Sequence, residues 1–248
     1  MSCMKELGLP EEIKACLFDL DGVVTRTAVV HAAAWKEMFD AFLRDREGDR
    51  FRPFDGDDYD KYVDGLPRAD GVRTFLASRG IELPDGNPDD PPGAETVHGL
   101  GNRKNALVLE KIRTDGVEAY DDTLTYIRAA RARGLRTAIV SSSANCRDVL
   151  RAIDAEDLFD VRIDGVVAAE RGLPGKPHPD TFLAAAHDLG LDAPRSAVFE
   201  DALAGMDAGR AGGFGYVVGL DRVGQSDALY EHGADIVVKG LAELEGHE

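Results

Sequence analysis

ACLFDLDGVV, from Ala15 to Val24, is the stretch on which the fold turns. Ala15 to Leu20 is a short apolar run that ends among acids and meets Gly22 at once. That is the pattern of a buried strand whose carboxyl end opens into a loop. Asp19 and Asp21 lie two residues apart, so their side chains return to the same side of an extended chain. An Asp-x-Asp-Gly after a strand is as readily a turn as a site, and its surroundings decide which.

Downstream, apolar residues recur at helical spacing from Thr27 to Phe42, with Thr27 as a candidate N-cap. Arg44 to Asp60 is charged and irregular, and Leu83 to Gly93 is dense in Pro, Gly and Asp; both read as loops. Short helical patterns cover Ala69 to Ser78 and Asn102 to Arg113, with no convincing strand between residues 30 and 116. After Tyr120 strands and helices alternate. Strands are expected at Arg136–Val140, Val161–Ile163, Ala197–Phe199, Gly215–Val218 and Asp235–Val238. Helices are expected at Asp122–Arg133, Asn145–Ile153, Asp180–Leu189, Ala202–Ala211 and Ser226–Glu231. The alternation implies an α/β fold with a doubly wound parallel sheet. About 90 mainly helical residues separate the first strand from the rest, as an inserted helical cap domain would. The expected organisation is a core of residues 1–29 and 117–248 with a cap of residues 30–116.

The chain has 248 residues and a formal net charge of −17, which argues against nucleic-acid and anionic-membrane partners. Cys3, Cys16 and Cys146 are odd in number and form no C-x-x-C pair, which suits a reduced cytoplasmic compartment without disulfides. The N-terminal residues lack a cationic flank followed by an apolar run, and no stretch approaches membrane-spanning length. A cytoplasmic protein, monomeric, is the expectation.

In open parallel sheets ligands bind beyond the carboxyl ends of the strands. The polar residues expected there are Asp19, Asp21, Ser141 to Ser143, Glu200 and Asp201, with Lys176 in the loop before a helix. That set is what phosphoryl transfer requires: a nucleophile, a proton donor for the leaving group and charge neutralisation. Asp19 can attack phosphorus to give an acyl phosphate, and Asp21 can serve as acid and base. Magnesium, which prefers oxygen ligands, would relieve the repulsion among Asp19, Asp21 and Asp201. Ser141 and Lys176 can donate to the phosphoryl oxygens. Singly, each piece has a plain alternative: a turn at GKPHPD (Gly175 to Asp180), a helix cap at the serines, a solvated cap at Glu200-Asp201. Their occurrence in this order is much less easily accidental. Gly205-x-x-x-Gly209 and Gly212-Gly213 are better explained by close helix–sheet contact and a C-cap than by a phosphate loop.

The set resembles the haloacid dehalogenase superfamily of phosphotransferases. FDLDGVV (Phe18 to Val24) is similar to its first motif, Ser141 after Ala138-Ile139-Val140 to its second, Lys176-Pro177 to its third and Glu200-Asp201 to its fourth. The resemblance implies a Rossmann-like core, Mg2+ as cofactor, and Asp19, Asp21, Glu200 and Asp201 around the metal. Within the superfamily the chain resembles the β-phosphoglucomutase-like branch. His31 and Trp35 are similar to its H-x-x-x-W-K, Arg68 to the cap-loop arginine that grips the non-reacting phosphate, and Lys104 to the cap lysine paired with the histidine. Ser143 and Asn145 resemble core residues beside that same phosphate. Alone, His31 and Trp35 read as packing residues, and Arg68 and Lys104 as solvated charges. The implied substrate is a small phosphorylated sugar.

Three positions depart from the branch. Arg26 replaces an acid in the hinge, Pro67 replaces a serine, and Ala144 replaces a lysine between Ser143 and Asn145. One lost charge-assisted bond costs about 1.5–3 kcal/mol, and Arg147 or Arg103 are the cations that could compensate. His31, Arg68 and Lys104 favour a mutase acting on β-glucose 1-phosphate, whereas Ala144 favours a phosphatase. A non-catalytic phosphosugar-binding module is the remaining alternative.

Overall fold

The computed structural model describes residues 7–246, so Cys3 lies outside the described residues. The chain divides into two compact units, one reaching up to Arg26 and resuming at Val117, the other spanning Thr27–Gly116.

The first unit is built on a sheet of six parallel strands: β1 (Ala15–Phe18), β2 (Arg136–Val140), β3 (Val161–Ile163), β4 (Ser196–Glu200), β5 (Tyr216–Leu220) and β6 (Ile236–Val238). Their order is β3-β2-β1-β4-β5-β6. Strand β1 is therefore central, and the order reverses on either side of it, which puts a topological switch point at its carboxyl end. Phe18 lies level with Ile139 of β2 and Phe199 of β4, so the residues just past these strands emerge on one edge.

Burial on both faces explains why β1 reads as an unbroken apolar run. Leu17 joins a cluster with Val140, Phe182 and Met206. Its neighbour Phe18 turns to the other face, stacked on Phe199 at 4.4 Å and edge-on to Tyr126 at 6.5 Å. Helices α5 (Asp121–Ala132), α6 (Cys146–Ala152), α7 (Gly165–Arg171), α8 (Asp180–Asp188), α9 (Leu203–Ala211) and α10 (Ser226–Glu231) complete this unit. Gly209 of α9 lies against Val217 and Val198, the close helix–sheet contact that glycine permits.

Among the described residues the second unit has no strand. It consists of α1 (Ala28–Glu47), α2 (Gly56–Tyr62), α3 (Arg68–Ser78) and α4 (Val97–Asp115) around Trp35, Phe39, Phe54, Val72, Phe75 and Leu100. Two expectations need correction here. Arg44 to Asp60 is not a loop throughout, because α1 runs on to Glu47 and α2 follows. A capping box starts α2: the Asp55 side chain accepts from Asp58 N at 3.0 Å while Asp58 Oδ2 accepts from Asp55 N at 3.3 Å. Thr27 makes no side-chain cap bond, since its own backbone is already helical at φ −78° and ψ −11°. In the first unit α7 was also unforeseen, although Asp164 caps its start and Gly172 closes it in the left-handed region at φ +64°.

No helix among the described residues is long and apolar enough to cross a membrane. Cys16 and Cys146 are free, and burial pushes both thiols up.

Candidate active site

Asp19, the first residue past β1, is buried, and its amide donates to Phe199 O at 2.9 Å, which extends the strand register by one residue. Lys176 Nζ lies 2.5 Å from Asp19 Oδ1 and 2.5 Å from Glu200 Oε1, and 3.3 Å from Val140 O. Both ends of this bridge are buried. Such a lysine is a fixed positive charge, and the two carboxylates hold its ammonium above the ordinary lysine range despite desolvation. Burial, reinforced by the charges of Glu200 and Asp21 and opposed by Lys176, pushes the Asp19 carboxyl well above the usual carboxylate range.

Glu200 is fully buried, with both oxygens engaged: Oε1 on Lys176, and Oε2 accepting from Asp201 N at 2.8 Å and Ala202 N at 2.9 Å. Any side chain at Gly205 would collide with Glu200, so α9 can begin there only because position 205 is glycine. The Asp19–Gly22 turn is built similarly. Gly22 sits at φ +93°, and a Cβ on it would overlap the Asp201 carboxylate. The first and fourth strand-end segments are thus pressed together.

Asp19, Glu200 and Asp201 offer carboxylate oxygens that all lie within 4.8 Å of one another. Three buried acids share one buried lysine, so the cluster carries surplus negative charge that a cation would offset. Its donors are all oxygen, the preference of a hard divalent ion such as Mg2+. The residues fit such an ion. Asp21 is half-buried next in line, within the turn closed by Gly22 N donating to Thr25 O at 2.7 Å.

Ser141 follows β2 and is buried, its Oγ accepting from Ser143 N at 3.0 Å. Ser143 Oγ in turn accepts from Asn145 N at 3.1 Å, and Ser143 O from Gly165 N at 3.2 Å, so this loop is held by its own hydroxyls and by the start of α7. Arg147 is committed to Glu156 at 2.8 Å on the surface.

The second unit gathers three of the expected residues. Lys104 Nζ is 2.8 Å from His31 Nδ1 and 4.7 Å from the centroid of the Trp35 ring, and Trp35 stacks on Phe39. Lys104 is buried, not solvated. Arg68 opens α3 with its stem against Gly101, and burial lowers its pKa. Its guanidinium has no partner among the described residues.

Residues unforeseen in the sequence lie between β5 and α10. Arg222 Nε donates to Gly22 O at 2.9 Å, and Gln225 Nε2 to Asp201 O at 2.9 Å. Their targets are backbone carbonyls, which no side-chain motif announces; the available hint was an acid at a strand end, Asp221, followed by Gly224 and Ser226.

A family model for haloacid dehalogenase-like hydrolases matches residues 13–213. The chain belongs to the haloacid dehalogenase-like hydrolase family. Within this family it is 55% identical over 245 residues to the β-phosphoglucomutase of Mycobacterium tuberculosis, covering 96% of this chain and 94% of that protein. It is 30% identical to the β-phosphoglucomutase of Bacillus subtilis, covering 94% and 92% respectively. The crystal structure of β-phosphoglucomutase from Clostridium difficile shares the fold, with a TM-score of 0.75 and 24% identity across 94% of this chain and 93% of that one.

Proposed function

We propose that this chain is a magnesium-dependent phosphotransferase that converts β-glucose 1-phosphate to glucose 6-phosphate through a phosphorylated Asp19. The observation that carries this reading is the buried Asp19–Lys176–Glu200 bridge beside Asp201, in a chain 55% identical to a β-phosphoglucomutase.

Phosphorylated Asp19 gives its phosphoryl group to the 6-hydroxyl of the substrate, and Asp21 takes the hydroxyl proton. The resulting bisphosphate reorients and returns its 1-phosphoryl group to Asp19. The Asp19 oxygen attacks phosphorus, the bond from phosphorus to the sugar oxygen breaks, and Asp21 protonates that oxygen as glucose 6-phosphate leaves. Lys176 offsets charge on the phosphoryl oxygens, and the Ser141 hydroxyl donates to them. Asp19, Asp21 and Asp201 would hold Mg2+, which supplies further charge neutralisation at those oxygens. Glu200, with both oxygens engaged, would act mainly by fixing Lys176. Arg68, unpartnered among the described residues, would receive the non-reacting phosphate. Lys104 and His31 form the pair expected of the same substrate unit, and Ser143 and Asn145 would add donors to that phosphate.

A sugar-phosphate phosphatase differs only in the acceptor, water in place of the sugar hydroxyl. Ala144 and the engagement of Arg147 with Glu156 favour it, because both take cations from the distal phosphate. The experiment supplies β-glucose 1-phosphate, Mg2+ and a trace of β-glucose 1,6-bisphosphate, and follows glucose 6-phosphate and inorganic phosphate together. Isomer without phosphate release supports the mutase, and phosphate release alone refutes it in favour of the phosphatase.

A further inference from the structure

Residues 221–225 take no part in that scheme, yet they hold both acid-bearing turns. Asp221, buried at the end of β5, accepts from Gly224 N at 2.6 Å, Gln225 N at 2.8 Å and Ser226 Oγ at 2.5 Å. Its own amide donates to Val238 O at 2.8 Å. The loop is therefore braced internally and against β6 before it reaches anything else.

From that frame two side chains extend. Arg222 donates to Gly22 O through Nε and to Lys239 O through Nη1, and its guanidinium lies 3.7 Å from the centroid of the Tyr120 ring. Gln225 donates to Asp201 O. Gly22 directly follows Asp21, and Asp201 belongs to the acid cluster, so a single loop grips the peptide next to each. The Gly22 carbonyl needs such a grip. A glycine at φ +93° has no side chain to restrict it, and a charge-assisted hydrogen bond supplies the missing restraint. Arg222 Nη2 is buried without a hydrogen-bond partner among the described residues, so the guanidinium is not placed for its own saturation. Its contacts are directed at Gly22, Lys239 and Tyr120. Tyr120 is also where the chain has just re-entered the first unit: its amide donates to Val24 O at 2.9 Å, and Arg26 stacks over the same ring at 4.3 Å.

We propose that loop 221–225 is a positioning strap for phosphoryl transfer, with Arg222 orienting the Asp21–Gly22 turn and Gln225 orienting Asp201. The inference rests on the proposed roles of Asp19, Asp21 and Asp201. The strap touches backbone only, so its residues are positioning residues.

The test uses amide hydrogen exchange of the metal-free protein together with steady-state kinetics. In Arg222→Ala the amides of Gly22, Val24 and Thr25 should exchange roughly tenfold faster, the loss of one hydrogen bond to a charged donor, while β1 and β4 stay protected. kcat should fall by at least about tenfold with KM within about twofold, the signature of misplaced reacting groups. Arg222→Lys should recover part of both effects. In Gln225→Leu the faster amides should be those of Asp201 and Ala202, and Mg2+ affinity measured by calorimetry should drop severalfold. Unchanged exchange at the turn with lost activity would overturn the proposal, as would uniform acceleration across the sheet. If the exchange pattern appears but the wild-type chain transfers no phosphoryl group to or from a sugar, the strap stands and the proposed function falls.

Discussion

Replacing the proposed nucleophile should make the metal-free protein more stable. Asp19, Glu200 and Lys176 form a buried trio with a net charge of −1, and Asp201 beside it makes the imbalance larger. Asp19→Asn keeps the shape and an acceptor oxygen for Lys176 while leaving Lys176 and Glu200 as a balanced pair. Lys176 loses part of a charge-assisted bond, and the fold loses a carboxylate whose burial is opposed by desolvation and by two neighbouring acids. The second effect is larger, because the Asp19 carboxyl is driven upward in the presence of the lysine. A gain of about 1–2 kcal/mol is expected, comparable with other relieved active-site strains. For a chain of this size that corresponds to a rise in Tm of roughly 3–6 °C. The pH dependence gives the sign a second check. A carboxyl raised in the fold favours the neutral form, so its penalty is absent below the unfolded value, about 3.9, grows as pH rises from there towards the folded value, and is constant above it. Asp19→Asn should therefore exceed wild type at pH 7 and converge with it near pH 4. The assay is thermal unfolding in chelator, followed by circular dichroism at both pH values. Saturating Mg2+ should narrow the gap by stabilising wild type more than the variant. A variant less stable than wild type at pH 7 in chelator would refute the surplus-charge argument, whatever its activity.

The opposite deletion should behave oppositely. Lys176→Met leaves two buried carboxylates without their cation, and a loss of about 3–5 kcal/mol in urea unfolding is expected. Arg68→Ala should raise KM for β-glucose 1-phosphate roughly tenfold or more, with little change in unfolding, since its guanidinium has no hydrogen-bond or ion-pair partner among the described residues. In the second unit, Asp58 bonds Arg79 at 2.5 Å with both side chains largely buried. Asp58→Asn should lower stability by about 2–3 kcal/mol, discounted for the partial exposure of Arg79. The fluorescence of Trp35, the one tryptophan and a member of that unit's core, reports this transition directly.

How much of this was legible depends on what kind of contact carries it. All six strands can be read, but for two reasons: β1 and β4 are buried along their whole length and so are written in a near-continuous apolar run, whereas the edge strands β3 and β6 are only partly buried and are legible through their alternation with helices. The helices of the second unit were harder. Asp55 to Tyr62 contains four aspartates and reads as loop until the Asp55–Asp58 reciprocal bond is noticed. Helix α7 has only seven residues, none of them buried, so periodicity had little to work on, and its start and stop signals, Asp164 and Gly172, were the better guide. Among the acids, Asp19 and Asp201 stood out because titratable groups at successive strand ends share one edge. The sequence left Glu200 undivided between ligand and cap; its two oxygens, one on Lys176 and one on backbone amides, separate charge pairing from anchoring within a single side chain.

Loop 221–225 marks the limit of such reading. Motif logic finds side chains that do chemistry, whereas Arg222 and Gln225 act on peptide oxygens about 200 and 24 positions away, and any sequence can supply a peptide oxygen. Their partners became identifiable only once Gly22 and Asp201 were seen to occupy neighbouring turns. The same consideration explains the two glycines. Gly22 and Gly205 read as a turn and a packing residue, and they are both; yet each lies against a carboxylate, Asp201 and Glu200 respectively, so the smallest side chains in the site set how closely its charges approach. Gly22→Ala forces the turn away from Asp201 and strains a left-handed backbone. Opening the acid cluster in this way should relieve charge repulsion as Asp19→Asn does while leaving the nucleophile in place, which separates the electrostatic cost of the site from its chemistry.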